Sequence, residues 1–374
     1  MSLKRVAQQQ LLPLTSPSSP QRPESARWKR GFHILILMVF FATTWRALWP
    51  CASSWALPPL LRTALHHEAD DPESIPNQVH LVKLLHNPGS RDEFSFRFTD
   101  FLSVYAAWHH WRPHALYLHT NAVEATITGG RDGLSGKWTQ YILQVPNLTV
   151  LRTQPPSTAD NGVAIPSLEH KAEFVAVQAV RSMGGLFMGF DTYALRDVRP
   201  LRAGEASFVA HALLNADGGA GGAGGAGGAS VSHDFFMSTK GGSLVSTWAN
   251  LLHQTYSPDA AASPSDVIIT ELTALAMARS PADTAFMTAP AFESDKHNTS
   301  GRSGNGGGGA ERDWSKTYVL QMSESKGHTW TAVPFESVTP TYLLESRSEF
   351  ARVMYPVTRA MVEKGLIRHE DKDS

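Results

Sequence analysis

The sequence predicts an α/β fold, in which helices flank a mostly parallel sheet, preceded by one transmembrane helix. Segments of strand and helix character alternate from Ile75 onward, as expected for parallel crossover units. The short apolar segment at 186–190 is typical of a strand buried on both faces. An apolar run at residues 31–49 follows a basic tail, which is the pattern of a membrane anchor.

The N-terminal region divides into three parts. Residues 1–30 carry six basic side chains against Glu24, and this composition predicts a disordered cytosolic tail. The run at 31–49 is short for a span of about 20 residues, and its basic N-terminal flank predicts a single-pass type II protein of the Golgi or ER membrane with a luminal C-terminal domain. A cleaved signal peptide and a buried core helix are the alternatives. Residues 50–74 contain several prolines and predict a stem.

The first folded elements form a strand, helix and strand unit. We expect a strand at Gln78–Leu85, an amphipathic helix at Phe98–Trp111 and a second strand at Ala115–His119. Elements of these lengths predict a right-handed crossover between parallel strands. A third strand is expected at Leu148–Arg152.

The segment from Ser167 to Pro200 carries the strongest functional signal. Ser167 is a suitable N-cap for a helix that begins at Leu168 and ends at Gly184. The buried strand that follows leads to Asp191. Because ligands of open α/β sheets bind at the carboxyl ends of the strands, Asp191 is a candidate ligand-binding residue. An ordinary turn aspartate is the alternative.

The remaining elements are interrupted by two glycine-rich segments at about 216–230 and 293–312, for which we expect flexible inserted loops. The other segments are assigned from their apolar pattern and their proline and glycine positions. These are strands at 207–211, 234–238, 267–269 and 317–321, a helix at about 243–254, and a helix at 349–364 that Pro356 should kink.

Several motifs together resemble one enzyme family. They are IPNQVH at 75–80, LYLHTN at 116–121, the helix–Gly-Gly–strand–Asp segment, ERDWSKTYVL at 311–320 and TPTYLLESRSEFARVMYPV at 339–357. This combination is similar to the glycosyltransferases with the DXD sugar-binding motif, a family related to fungal mannosyltransferases and mannosyl-inositolphosphoceramide synthases. The resemblance covers most of 75–367.

The resemblance implies a GT-A-like nucleotide-diphospho-sugar transferase fold at 75–368. The implied reaction moves a hexose, with mannose as the first candidate, from a nucleotide-sugar donor to a glycan or glycolipid hydroxyl with the help of Mn²⁺ or Mg²⁺. Asp191 would bind the metal. The implied donor-binding set also includes Glu173, His80, His119, Asn121 and His328. For His80 a core histidine is the alternative.

Three residues depart from the family pattern. Gly189 stands at the first Asp of Asp-x-Asp, Ala176 stands at a helix Arg, and Gln321 stands where many relatives have His. These departures support an alternative, which is a catalytically inactive relative that binds glycans or a partner. A hetero-complex with other glycosyltransferases is a further expectation.

Composition limits the other possibilities. A chain of 374 residues with 42% hydrophobic residues can bury one large core. Its net charge of −1 gives no electrostatic case for nucleic acid. Cys51 has no second cysteine with which to form a disulfide. The sequons at Asn147 and Asn298 are consistent with a luminal domain.

Overall fold

This computed structural model describes residues 74–214, 229–258, 284–287, 291–294, 313–322, 331, 333–334 and 337–371. The predicted tail, the anchor and all of the stem except its last residue lie outside these ranges, as do His328, Asn298 and the strand expected at 267–269. No helix within the described ranges has the length and apolar character needed to cross a bilayer.

The first half of the domain forms parallel crossovers. Strands β1, β2 and β3 pair side by side in parallel, and β4 pairs in parallel with the other side of β1. The structure confirms the main predicted elements and adds two short helices, α2 and α3. In chain order the elements are β1 (Gln78–Val82), α1 (Phe98–Trp111), β2 (Ala115–Thr120), α2 (Glu124–Arg131), α3 (Lys137–Leu143), β3 (Leu148–Arg152), α4 (Leu168–Met183) and β4 (Gly185–Met188).

The second half completes the large sheet and adds a small one. Its elements are β5 (Thr192–Ala194), α5 (Arg199–Arg202), β6 (Phe208–Leu214), β7 (Ala229–Ser238), α6 (Ser243–Thr255), β8 (Thr284–Met287), β9 (Phe292–Ser294), a 3₁₀ turn (Trp314–Lys316), β10 (Val319–Gln321), α7 (Pro340–Glu345) and α8 (Glu349–Glu363). The seven-stranded sheet has the order β3-β2-β1-β4-β7-β6-β8, and β7 runs antiparallel to its neighbours. The three-stranded sheet has the order β5-β10-β9.

Both faces of the large sheet are covered, which explains why β4 is apolar along its whole length. Leu186 and Met188 belong to the larger core, together with residues of α1. Phe187 packs against the second core, which contains Phe174 of α4 and Trp248 of α6. The predicted mixed α/β architecture with a mostly parallel sheet is therefore confirmed.

The ends of strands β4 and β7 differ from the predicted bounds, whereas the last helix agrees with its prediction. Strand β4 ends at Met188 because the chain turns at Gly189, whose carbonyl accepts a hydrogen bond from Thr192 N at 3.2 Å. Helix α8 continues through Pro356 and has the predicted bounds to within one residue. Strand β7 begins at Ala229, inside the segment predicted as a loop.

Candidate functional site

Asp191 lies at the carboxyl end of the parallel strands, in the short connection between β4 and β5. Its backbone is fixed by the small sheet, since Met322 N donates to Asp191 O at 2.8 Å. Its side chain accepts a 3.3 Å hydrogen bond from the Thr192 hydroxyl at Oδ1. The carboxylate is therefore held by a defined turn at the sheet edge where ligands bind α/β folds.

Asp191 is part of a polar group of five side chains, which we call the acidic cluster: Asp191, Asp234, Glu173, Gln321 and His233. The buried Gln321 side chain donates from Nε2 to Asp234 Oδ2 at 2.6 Å, and the same nitrogen lies 3.5 Å from Asp191 Oδ2. His233 Nε2 lies 3.3 Å from Asp234 Oδ1 and 3.5 Å from Glu173 Oε1. The acidic cluster thus joins α4, β7, β10 and the connection between β4 and β5 in one continuous network.

The sheet topology explains why the acidic cluster forms. Strands β4 and β7 pair antiparallel with Met188 opposite Phe235. The hydrogen bond from Gly189 N to Asp234 O, at 3.2 Å, continues this register by one residue. Strand β10 pairs with β5 and places Gln321 opposite Thr192, next to Asp191. Sequence reasoning missed Asp234 and His233, and the signal for them was the polar pair before the apolar run of β7.

The structure also shows the surroundings of Gly189 and Ala176, the other two departures from the family pattern. Gly189 lies so close to Asp191 that a Cβ atom there would be 2.5 Å from Asp191 Oδ1. Ala176 is buried in α4 at 1% exposure and contributes no charge. Glu173, the carboxylate predicted on the helix, is joined to the rest of the acidic cluster by its contact with His233.

His80 and His119 form a buried pair on adjacent strands. His80 Nδ1 lies 3.0 Å from His119 Nε2, and His80 Nε2 lies 2.8 Å from Gly184 O. Burial lowers the pKa of both imidazoles to about 4, because a charged ring would lose its hydration. Both rings are therefore neutral at pH 7, and His80 has the contacts of a core histidine that fixes the end of α4.

Asn121 has a structural set of contacts at the same sheet edge. Its side chain accepts from Leu85 N and donates to Leu85 O, both at 2.8 Å. This double hydrogen bond joins the segments that follow β1 and β2. The amide predicted to meet a sugar hydroxyl is thus engaged with the backbone.

A groove of about 480 Å³ lies beside α4, at the ends of β2 and β3. Its apolar side includes Phe174 and Met183. Its polar groups, which suit a hydroxyl-rich or anionic ligand, come from His119, Arg152, Thr153, Gln154, Gln178 and His253.

A second cavity, of about 270 Å³, lies on the other side of the sheet between α1, α3 and the C-terminal segment. Four aromatic rings are part of its lining, and Lys364 Nζ lies 4.7 Å from the Trp108 ring centroid. Trp138 is buried nearby in the larger core.

The acidic cluster contains oxygen donors of the type that a hard divalent cation prefers. Among the described residues no group of three or more His, Cys, Asp or Glu side chains could hold a metal ion. However, Asp191 and Asp234 supply carboxylate oxygens, and Gln321 adds an amide oxygen if its side-chain amide is turned over. One or two carboxylates completed by substrate phosphates and water are sufficient for Mg²⁺.

Comparison with known proteins gives structural matches only. No family profile and no curated protein sequence matches the chain. Among solved structures, it is similar to PaToxG Glycosyltransferase, with 8% identity over 55% of this chain and 71% of the other, at a TM-score of 0.38. The glycosyltransferase GlyE of Streptococcus pneumoniae TIGR4 matches at 10% identity over 80% of this chain and 66% of its own length, with a TM-score of 0.36.

A third match is the galactosyltransferase LgtC in complex with donor and acceptor sugar analogs. Its identity is 10%, and the match covers 78% of this chain and 100% of the other at a TM-score of 0.37. Because one fold hosts many activities, we argue the function from the residues of the site.

Proposed function

We propose that the protein is a glycosyltransferase that moves a sugar from a nucleotide-sugar donor to a hydroxyl group of a glycan or glycolipid. The observation that supports this most is the Asp191 carboxylate. It lies at the carboxyl edge of a mostly parallel sheet and is joined through Gln321 to a second carboxylate. The motif resemblance around Asp191 supports the same reaction.

The reaction places one main demand on the site. The bond between the anomeric carbon and the donor's diphosphate oxygen breaks, a bond from the acceptor oxygen to that carbon forms, and the acceptor hydroxyl loses its proton. Negative charge accumulates on the departing diphosphate. Mn²⁺ or Mg²⁺ held by Asp191 would neutralise that charge. The chain's own contribution is to hold the carboxylate, since Thr192 and Gln321 both contact it.

We propose a hexose as the transferred sugar, with mannose as the first candidate. This choice rests on the resemblance of the motifs to those of mannosyltransferases. The groove beside His119 is a suitable place for a hydroxyl-rich ligand, because Arg152, Thr153 and Gln154 line it. Binding there would place polar ligand groups at the same sheet edge as Asp191.

We also propose that residues 31–49 anchor the protein in the Golgi or ER membrane as a single-pass type II protein. The supporting observation is the apolar run behind a basic tail. The acceptor of the enzyme would then be a luminal glycan or glycolipid. Other glycosyltransferases of the same membrane would be its partners in a hetero-complex.

The test is nucleoside diphosphate release by the full-length protein in mild detergent. UDP-glucose, UDP-galactose and GDP-mannose are supplied in turn with and without Mn²⁺. We expect release from one donor, and Asp191→Ala should lower it about a hundredfold or more, the scale of losing one electrostatic group in an active site. Asp132→Asn, at the exposed end of α2, is the matched control and should leave the rate unchanged. Release that Asp191→Ala does not lower would refute the assignment.

Gly189 and Ala176 favour one other function, that of a catalytically inactive relative acting as a glycan-binding or partner subunit. Each removes a charged group that the family pattern contains. This function predicts no release from any donor by the wild-type protein. It also predicts retention on immobilised glycans or on a partner glycosyltransferase.

A further inference from the structure

We infer that Asp234 supplies the carboxylate that Gly189 lacks, so that one cation is held by Asp191 and Asp234 from separate segments instead of by an Asp-x-Asp motif. The inference rests on the proposed function, because it concerns the same site. It assigns a role to a residue that is distant from Asp191 in the sequence.

The strand register places the side chain of Asp234 close to where a side chain at residue 189 would lie. Gly189 lies opposite Asp234, as the 3.2 Å hydrogen bond between Gly189 N and Asp234 O indicates. Residues directly opposite each other on antiparallel strands project to the same face, with Cβ atoms about 5 Å apart. A side chain at residue 189 and the side chain of Asp234 therefore point into the same space.

The contacts of Asp234 show that its carboxylate is directed towards the same amide group as Asp191. Its Oδ1 faces His233, at 3.3 Å, while its Oδ2 faces Gln321 at 2.6 Å. The same Gln321 nitrogen lies 3.5 Å from Asp191 Oδ2. The two Oδ2 atoms are thus directed at one amide group, which lies between two negative charges. A divalent cation bound to these oxygens would balance that charge as well as the charge of the diphosphate.

The glycine itself contributes space for the Asp191 side chain. A Cβ at residue 189 would lie 2.5 Å from Asp191 Oδ1, so a residue with a side chain there would push the carboxylate away from its present position. Gly189 therefore allows Asp191 to lie over the end of β4. The absence of a side chain at residue 189 therefore leaves room for the Asp191 carboxylate, while Asp234 on β7 supplies the second carboxylate.

Manganese binding tests the inference independently of catalysis. The EPR signal of free Mn²⁺ is recorded as the full-length protein is titrated in, for the wild type, Asp191→Asn, Asp234→Asn and the control Asp132→Asn. We expect the wild type and the control to bind Mn²⁺. Each of the other two variants should weaken binding at least about tenfold, since even outer residues of metal sites have effects of this size. Circular dichroism melts identify any variant that has lost its fold.

A conservative variant separates ligation from structural damage. Asp234→Glu is compared with Asp234→Asn, and we expect the Mn²⁺ affinity of Asp234→Glu to lie within about tenfold of the wild type, because it keeps a carboxylate on the same strand position. Mn²⁺ binding that Asp191→Asn weakens and Asp234→Asn does not would overturn the inference, as would a wild type that takes up no Mn²⁺. If the wild type still turns over the donor in either of those two cases, the proposed function stands although the inference is wrong. If Mn²⁺ binds as expected but no donor is turned over, only the proposed function is refuted.

Discussion

Gln321 shows how the meaning of one residue changes between sequence and structure. In the sequence it marks the loss of a histidine, whereas in the structure its amide connects Asp191 to Asp234. Asp191, Glu173 and Gln321 could be found from the motif, because they lie at fixed positions in it. Asp234 could not, since its place beside Asp191 depends on the antiparallel pairing of β7 with β4, and short-range patterns do not reveal such pairing.

The buried histidine pair gives the residue-scale prediction, which concerns stability against pH. The pKa of His80 and of His119 is lowered from 6.5 to about 4 by burial, so the unfolded chain takes up protons that the folded protein does not. Stability present above pH 6.5 should therefore fall as the pH falls towards 4, by about 3 kcal/mol for a group shifted this far. Urea unfolding of the full chain across this range measures the loss.

Two histidine variants test the origin of that pH dependence. His119→Gln keeps a hydrogen-bonding side chain but cannot titrate, so we expect the decrease in unfolding free energy between pH 6.5 and 4.5 to become smaller. His369, whose side chain is about half exposed, is the control, and His369→Gln should leave the decrease as it is. Identical pH profiles for His119→Gln and the wild type would contradict the assignment to the pair.

At the scale of elements, prediction succeeded where strong local signals agreed. Helix α1 and strand β3 have the predicted bounds. For α1 an apolar periodicity is followed by Pro113, and for β3 a turn precedes the apolar segment. Strand β5 and helix α5, of three and four residues, are too short to produce a periodic pattern. Their existence depends on tertiary contacts, such as the pairing of β5 with β10.

The junction between α4 and β4 gives the element-scale prediction. Gly185 has φ +96°, and a Cβ there would lie 2.6 Å from Gln78 O on β1. Gly185→Ala should therefore lower the free energy of unfolding by about 3 kcal/mol or more, since the left-handed backbone costs 1–2 kcal/mol and the overlap adds to it. Gly162 has φ +83° with nothing within 4 Å of a Cβ, so Gly162→Ala should show the backbone cost alone. Equal losses in urea unfolding would show that the close approach to β1 has no energetic effect.

At the scale of the whole molecule, the acidic cluster and the first sequon lie at opposite ends of the parallel strands. Asp191 and Asn121 follow parallel strands at their carboxyl ends, whereas Asn147 precedes the edge strand β3. Asn147 is exposed and has φ +66°, a conformation that asparagine tolerates well. A glycan on its side chain would thus lie away from the acidic cluster, so modification there is compatible with the proposed activity.

The last prediction uses this sequon to test the orientation of the chain in the membrane. If the folded domain is luminal, Asn147 should carry an N-linked glycan, and PNGase F should increase the gel mobility of the protein expressed in a eukaryotic cell. Thr149 is exposed on β3, so Thr149→Ala removes the sequon and leaves the left-handed Asn147 in place. We expect this variant to lose one glycan, whereas Thr149→Ser should keep it. A wild-type protein on which PNGase F has no effect would contradict the type II orientation, because Asn147 is accessible on the surface of the domain wherever that domain faces the lumen.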